Sequence, residues 1–574
     1  MLRVAIAQID PVVGAFEANV AKIKEAYQRA CYVQARVLIT PELGICGYPP
    51  YDLMDRPEMI ERNEKAIIDL EKITQSQNCA LIVGHVGANP RPTGRSAQNV
   101  ASVLENGRVV FSQAKTLLPT YDVFDEARYF EPAYEIRPWI CDGEKIGLAI
   151  CEDLWSNDLT LGRLYGKCPL NSYKEHKIQY LFSISSSPYG WNKRKKREDL
   201  HSEIARELNV PLVYVNQVGA TDEILFDGES FVLDSAGNLS GRLPRFQTAL
   251  GVASLKSSTD SSLETSVVNL EMIGLSHSIQ SGKSGSEFSE IEGLADGLVL
   301  GIREYFSRSG FTQAVLGLSG GIDSAVVGAL AARALGPKNV LGVAMPSQYS
   351  SGHSLEDAEI LARNLGMRFE VRPIKFLFST ASRELSETRG QLAPIASENL
   401  QSRLRGTILM TLANHYSALV LTTGNKSELA MGYCTLYGDM VGALAPIGDL
   451  FKTRVYELAR FINQKWGSPI PERSLTKAPS AELKPNQTDQ DTLPPYDVLD
   501  ELLMEYIENG ISIAELEARF QGRKIGKFSS IRQILNLLEI SEFKRRQAAP
   551  VLKISHKAFG IGRRIPIAKV WERT

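Results

Sequence analysis

The ten residues LGLSGGIDSA, 316–325, constrain the fold of this chain more than any other stretch. An apolar run ends at Ser319, two adjacent glycines make a bend free of side chains, and Ser324 opens the helix-forming run SAVVGALAARALG. Backbone N–H groups in such a bend point into one concavity, and the helix N-terminus adds positive potential, so the turn is a cradle for an anion. It lacks the GxxxxGK[ST] string of common P-loop proteins. A bare Gly-Gly followed by serine also suits a plain strand–helix turn with Ser324 as N-cap. The neighbouring runs NVLGVAMP and ALVLTTGN read as further buried strands, which makes the surroundings α/β.

The amino-terminal half repeats the α/β texture with different strings. VAIAQI, VLIT, LIVGHV, IGLAIC, YLFSIS and PLVYVNQV read as buried strands between helical stretches. NVASVLENGRVVFSQAK predicts a hairpin, because Asn106-Gly107 suits a tight turn with positive φ. FVLDSAGNLSGRL predicts a second. Near residue 254 the chain turns serine-rich, in SLKSSTDSSLETSVVNLE and SHSIQSGKSGSE, which is linker composition. Two domains are expected, 1–255 and 288–574, with a linker over 256–287.

The 574 residues are too many for one ordinary core, and roughly two to four domains is the expectation. A net charge of -2 argues against a dedicated nucleic-acid binder. No run of about 18 apolar residues predicts a membrane span, and MLRVAIAQID reads as a strand, not a signal peptide. Seven cysteines, none in a CxxC pair, suggest a reducing cytoplasm. Seven scattered histidines without zinc spacing argue against a transition metal.

Cys151, in IGLAICEDLW, follows an apolar run and precedes Glu152 and Asp153. Burial and nearby negative charge both disfavour its thiolate, so a nucleophilic role needs a base and a positive partner from elsewhere. VLITPELGICGYPP places Glu42 just past a strand, and VVFSQAKTLLPTYD places Lys115 just past the second hairpin arm. Residues beyond strand ends meet in a cleft in α/β folds. Separately each has a bland reading: cap, solvated lysine, core cysteine. Together, the order Glu42, Lys115, Cys151 resembles the nitrilase superfamily of carbon–nitrogen hydrolases, over about 1–255. The resemblance implies an α-β-β-α sandwich and a Glu-Lys-Cys triad, with Glu126 as an additional acid. It also implies glutamine-binding residues at Tyr121, Ser187 and Lys193.

SGGIDS resembles the pyrophosphate loop of the ATP-pyrophosphatase enzymes, which adenylate a carboxylate or similar oxygen. ENLQSRLRGTILM, LTTGNKSELAMGY, YGDMVGALAPIGDLFKT and the tail FKRRQAAPVLKISHKAFGIGRRIPIA are similar to the synthetase domain of NAD synthetases. The first string puts Asn399, Arg403 and Arg405 just before an apolar helix. This likeness covers 288–574 and implies a Rossmann-like parallel sheet of the adenine nucleotide alpha hydrolase type. Leu316, Gly317, Leu318, Ser319, Gly320, Gly321, Ile322, Asp323, Ser324 and Thr423 would then bind ATP. Asn399, Glu428 and Lys544 would contact deamido-NAD, and Asp323 and Glu428 would hold Mg2+. Arg403, Asp439, Lys452 and Lys477 are weaker candidates, and Lys544–Arg546 otherwise reads as an exposed charge run.

The two halves together resemble the glutamine-dependent NAD synthetases. The expected reaction is ATP-dependent amidation of deamido-NAD with ammonia from glutamine passed between two sites, giving AMP, pyrophosphate and glutamate. The alternative is another ATP-pyrophosphatase amidotransferase acting on a different carboxylate. GMP and asparagine synthetases use other glutaminase modules, with a Cys-His-Glu triad or an N-terminal cysteine, whereas residue 2 here is Leu. The expected partners are small molecules only, with ATP as a substrate, no nucleic acid and no membrane. The family implies a homo-oligomer, a dimer through the synthetase domain that could extend to an octamer.

Overall fold

A computed structural model describes residues 1–157, 165–256, 267–273, 289–386, 392–485 and 487–570. The chain divides into two compact units. Unit 1 comprises Met1–Thr221 and Leu225–Phe288, and unit 2 comprises Asp222–Ile224 and Ser289–Thr574.

In chain order the strands up to residue 273 are β1 Leu2–Gln8, β2 Val37–Ile39, β3 Ala80–Ala88, β4 Ala97–Glu105, β5 Arg108–Ala114, β6 Trp139–Cys141, β7 Glu144–Ile150, β8 Tyr180–Ser185, β9 Leu212–Asn216, β10 Val218–Thr221, β11 Ile224–Asp227, β12 Phe231–Leu233, β13 Leu239–Arg242, β14 Ala249–Leu255 and β15 Val267–Ile273. The helices of this part are α1 Phe16–Tyr32, α2 Glu58–Thr74, α3 Pro169–His176 and α4 Lys193–Leu208. One sheet has the order β15-β14-β1-β2-β3-β4-β5 and the other β13-β12-β9-β8-β7-β6. Val4, Ile6, Val37, Ile39 and Ile82 of the first meet Ile146, Leu148, Ile150, Val213 and Val215 of the second in one core. Helices α1 and α2 pack on the outer side of the first sheet. A second core joins Leu181, Leu212 and Tyr214 to Leu170 and Tyr173 of α3 and Leu200 and Ile204 of α4. The result is the expected α-β-β-α sandwich.

Both hairpins form. Asn106 and Gly107 have φ of 53° and 78°, and β12 pairs antiparallel with β13. The expected linker differs. Its residues 267–273 form β15, which pairs antiparallel with β14 and extends the first sheet. The serine-rich flanks hid a short apolar run, VVNLEMI, long enough for one strand. Residues 257–266 and 274–287 of that stretch lie outside the described residues.

Unit 2 is built on β16 Ala314–Gly317, β17 Val340–Ala344, β18 Arg368–Val371 and β19 Leu419–Leu421. All pair in parallel, in the order β18-β17-β16-β19. Its helices begin with α5 Glu290–Arg308, α6 Ile322–Leu335, α7 Gly352–Leu365, α8 Lys375–Ser386, α9 Pro394–Tyr416, α10 Lys426–Met431 and α11 Lys452–Lys465. The chain leaves β16 toward β17 on one side and returns as β19 on the other. That reversal is a switch point, where an open parallel sheet leaves a crevice at the carboxyl ends of its strands.

Gly84 on β3 lies against the segment that follows β2. A Cβ there would sit 2.5 Å from Leu43 N and Pro41 O and 2.8 Å from Glu42 Cα. Gly84→Ala should therefore push Glu42 out of place and destabilise unit 1 by about 1–3 kcal/mol. Chemical denaturation checks this, and an unchanged midpoint contradicts it.

Candidate active sites

The centre of unit 1 forms where four chain segments end. Glu42 follows β2, Lys115 follows β5, Cys151 follows β7, and Ser186 follows β8. Glu42 is fully buried, and Lys115 and Glu126 nearly so. Lys115 Nζ donates to Glu42 Oε1 and to Glu126 Oε1, both at 2.7 Å. Asn99 Nδ2 donates to Glu42 Oε1 at 2.8 Å, and the Ser186 N–H donates to Glu42 Oε2 at 2.9 Å. Tyr48 OH donates to Glu126 Oε1 at 2.8 Å. Burial disfavours the Lys115 ammonium, but Glu126 and Glu42 outweigh it and raise its affinity for the proton. Glu126 is pushed up to about 7 by burial, against the pull of Lys115 and with the repulsion of Glu42.

Cys151 sits at a bend with φ +44°, a left-handed conformation that non-glycine residues rarely adopt. It opens the short 3-10 helix Cys151–Asn157 and is 7% exposed. Burial raises its thiol first, Glu42 raises it further, and Lys115 works the other way, with a net rise above an ordinary cysteine. The adjacent acids are engaged elsewhere. Glu152 accepts from Tyr121 OH at 3.0 Å and from Tyr165 OH at 2.6 Å. Asp153 accepts the N–H groups of Thr116 and Leu117 at 2.8 Å each and of Ile150 at 3.1 Å, and burial lifts it to about 6. Asp153 thus fastens the cysteine bend to the segment just after Lys115.

The remaining sequence candidates of unit 1 lie around this centre. Tyr121 reaches it through Glu152. Ser187 is buried, with its N–H donated to Asn216 Oδ1 at 2.8 Å. Lys193 is the first residue of α4, donates to Pro188 O at 3.0 Å, and lies 5.9 Å from the centre of the Trp155 ring. Asn99, Ser186 and Tyr48 are additional contacts that the motifs did not single out. Counting back from the Asn106-Gly107 turn nearly finds Asn99. The ladder shifts by one residue between Val103 and Leu104, and only that bulge brings Asn99 level with Lys115.

In unit 2 the glycine bend follows β16. Gly320 has φ +75°, and a Cβ on it would lie 2.3 Å from Ser354 O, so the residue must be glycine. Gly321 rather than Ser324 caps α6, which starts at Ile322. Ser324 lies in its first turn, where its hydroxyl donates to Gly321 O at 3.0 Å and accepts from the Ser319 N–H at 3.2 Å. Leu316 and Leu318 are core residues, and Gly317 closes β16. Lys452 Nζ pairs with Asp323 Oδ2 at 2.5 Å and with Glu428 Oε1 at 3.2 Å. Asn425 Nδ2 donates to Asp323 Oδ1 at 3.0 Å and its side chain caps α10 in a box with Glu428. Thr423 lies in the loop between β19, which pairs with β16, and α10. Burial raises Glu428 to about 8, Lys452 opposes and Asp323 adds, although 20% of its side chain meets solvent.

Asn399 and Lys544 meet a different segment. Thr435 Oγ1 donates to Asn399 Oδ1 at 2.9 Å, and Lys544 Nζ donates to Gly432 O at 2.7 Å and Cys434 O at 2.8 Å. Asp439 accepts from the Thr435 N–H at 2.7 Å and from Ser402 Oγ at 3.0 Å. Arg403 and Arg405 lie inside α9, not before a helix, because Pro394 starts that helix early. Arg403 is exposed and donates to Leu436 O, while Arg405 donates to Met345 O past β17 and is lowered to about 10 by burial. Lys477 Nζ donates to Ser354 Oγ at 2.7 Å, behind the bend. The 544–546 run is not simply exposed. Arg545 is 4% exposed and donates to Leu429 O, Ala430 O and Glu542.

Among the described residues no three His, Cys, Asp or Glu side chains form a metal cage. Asp323 and Glu428, two carboxylates beside the glycine bend, are nevertheless a donor set that suits Mg2+, which usually completes its shell with water and phosphate oxygens. Among the same residues no helix is long and apolar enough to cross a membrane.

Two family models match the chain: carbon-nitrogen hydrolase over residues 3–262 and NAD synthase over residues 294–548. The chain is 44% identical to the glutamine-dependent NAD(+) synthetase of Synechocystis sp., a match that covers 100% of this chain and 99% of that one. It is 37% identical to the enzyme of that name from Thermotoga maritima, with 99% and 98% covered. The solved structure of glutamine-dependent NAD+ synthetase from Acinetobacter baumannii with ADP is 36% identical, has a TM-score of 0.75, and is matched over 99% of this chain and 98% of that one. The structure from Cytophaga hutchinsonii, 20% identical with a TM-score of 0.78, has the same fold over 99% and 98% of the two chains. With this identity over its whole length, the chain belongs to the glutamine-dependent NAD(+) synthetase family.

Proposed function

We propose that the chain makes NAD from deamido-NAD, ATP and glutamine in two half-reactions, one in each unit. The observation that carries the first is the buried Lys115 held between Glu42 and Glu126 beside Cys151. Glu42 takes the Sγ proton as the sulfur attacks the glutamine carboxamide carbon. Lys115 offsets the negative charge that builds on the carboxamide oxygen. Glu42 hands that proton to the amide nitrogen, which leaves as neutral ammonia, a glutamyl thioester remains on Cys151, and water hydrolyses it to glutamate and the free thiol. Tyr121, Ser187 and Lys193 bind the amino-acid end of glutamine.

In unit 2 the nicotinate carboxylate of deamido-NAD attacks the α-phosphate of ATP and pyrophosphate leaves. Ammonia, delivered from unit 1, then displaces AMP from the mixed anhydride. The bend at Ser319–Gly321 and the start of α6 receive the departing pyrophosphate, Thr423 contacts the nucleotide, and Asn399, Glu428 and Lys544 contact deamido-NAD. Asp323 and Glu428 would hold Mg2+, which supplies positive charge at the phosphate oxygens. Lys452 keeps the two carboxylates together. Exposed Phe376, Leu377 and Leu385 on α8 and Ile395 on α9 support self-association through unit 2.

Cys151→Ala should abolish glutamine-driven NAD formation and spare synthesis from ammonium, whereas Asp323→Ala should lose both. Release of AMP and pyrophosphate with each nitrogen donor reads these outcomes, and a Cys151→Ala chain that ammonium does not rescue refutes the division of labour. Because the Cys151 thiol lies above its ordinary range, its resting form is protonated at neutral pH. Its alkylation by iodoacetamide, without glutamine, should keep accelerating as pH rises past about 9. A plateau near neutrality would mean a preformed thiolate. Light scattering should give a dimer or larger, and a monomer that Phe376→Asp leaves unchanged would exclude assembly through α8.

A further inference from the structure

Unit 1 contains a buried charged pair that takes no part in the bond-making above. Arg197 of α4 is 1% exposed and grips Asp227 at the end of β11 through two hydrogen bonds, of 3.0 and 2.8 Å. Burial disfavours the charge on each; Asp227, with Tyr214 and Glu229, more than offsets it for Arg197, and Arg197, with Arg245 and Lys193, does so for Asp227. Apolar residues of similar volume often stabilise such a location as well, so bulk stability is a poor reason for the pair.

The pair instead holds a second residue in place. Asp227 Oδ1 also accepts from Asn216 Nδ2 at 3.3 Å. Asn216 ends β9, is fully buried, and clamps Ser187 by both backbone groups. Its Oδ1 accepts the Ser187 N–H at 2.8 Å, and its Nδ2 donates to Ser187 O at 3.2 Å. The residue before, Ser186, gives its N–H to Glu42 and its hydroxyl to Glu42 O at 3.0 Å. Lys193, one helical turn before Arg197, donates to Pro188 O on the other side. Residues 186–188 are therefore fixed between α4 and β9, and they carry both a donor to the base and the serine assigned to glutamine.

We propose that Arg197 is a positioning residue for glutamine: through Asp227 and Asn216 it sets the place of Ser186–Ser187, and with it the affinity for the substrate. The inference rests on the glutamine reading of unit 1. The fork of a guanidinium fixes the carboxylate plane and leaves Oδ1 aimed at Asn216. An ammonium would neutralise Asp227 without orienting it.

The test uses the full chain with Arg197→Lys, Asn216→Ala and, as a control, Arg36→Lys. Arg36 also bridges two acids of unit 1, Glu105 and Asp142, but contacts no residue of the site. Both test variants should raise the glutamine KM by about tenfold and leave ammonium-driven synthesis at the wild-type rate. Arg36→Lys should lower the unfolding temperature without moving that KM. An unchanged glutamine KM in Asn216→Ala overturns the proposal, even if Arg197→Lys does not fold. An equal rise in Arg36→Lys, or a parallel loss of ammonium-driven synthesis, also overturns it. A wild-type chain that forms no NAD from either donor would sink the functional reading instead. Glutamate release from glutamine would then still report the KM of each variant.

Discussion

The amino-terminal unit depends on one buried ammonium. Lys115 is 1% exposed and carries two carboxylates on the same nitrogen. Removing Lys115 would leave two carboxylates facing each other in a buried site with no cation, which costs several kcal/mol. The demand reaches back into the fold. Glu42 must arrive from β2, Lys115 from β5 and Glu126 from a turn eleven residues further on, so two parallel strands and a hairpin have to be in register before the ammonium can meet both carboxylates. The dry sandwich core beneath them keeps that register.

The carboxy-terminal unit uses a related device. Lys452 lies between Asp323 and Glu428, as Lys115 lies between Glu42 and Glu126. The settings differ in one respect that suits their chemistry. Glu42 is sealed, whereas 17% of the Asp323 side chain and 20% of that of Glu428 meet solvent. A thiol attack on an amide is served by exclusion of water. A crevice that, as proposed, receives a triphosphate and a hydrated cation would have to stay open until they arrive.

Much of this was legible in the sequence, for identifiable reasons. The strands of both sheets announce themselves by β-branched runs, and the SGGIDS string and the Glu, Lys and Cys at strand ends mark the residues to which the proposed chemistry is assigned. Short or masked signals were not legible. β15 lay in serine-rich surroundings, and β18, RFEV, is too short and mixed to stand out. Asn99 was hidden by a bulge, since a one-residue slip in a ladder changes every partner beyond it. The burial of Arg405 and Arg545 was not legible, because burial of an arginine depends on which carbonyls come to meet it. No local pattern reports that. The engagement of Glu152 and Asp153 was not legible, because their tyrosine and amide partners come from distant segments.

The pairing of β15 with β14 bears on how this protein could be dissected. A hydrolase fragment cut at 255, where composition invites the cut, would end on β14, whose residues Ala249–Leu255 are almost all buried. Its outer row of amide and carbonyl groups would then face solvent beside apolar side chains, a template for a foreign strand. Such a fragment would tend to precipitate through that edge, whereas one carried on to 273 would keep its own strand over it.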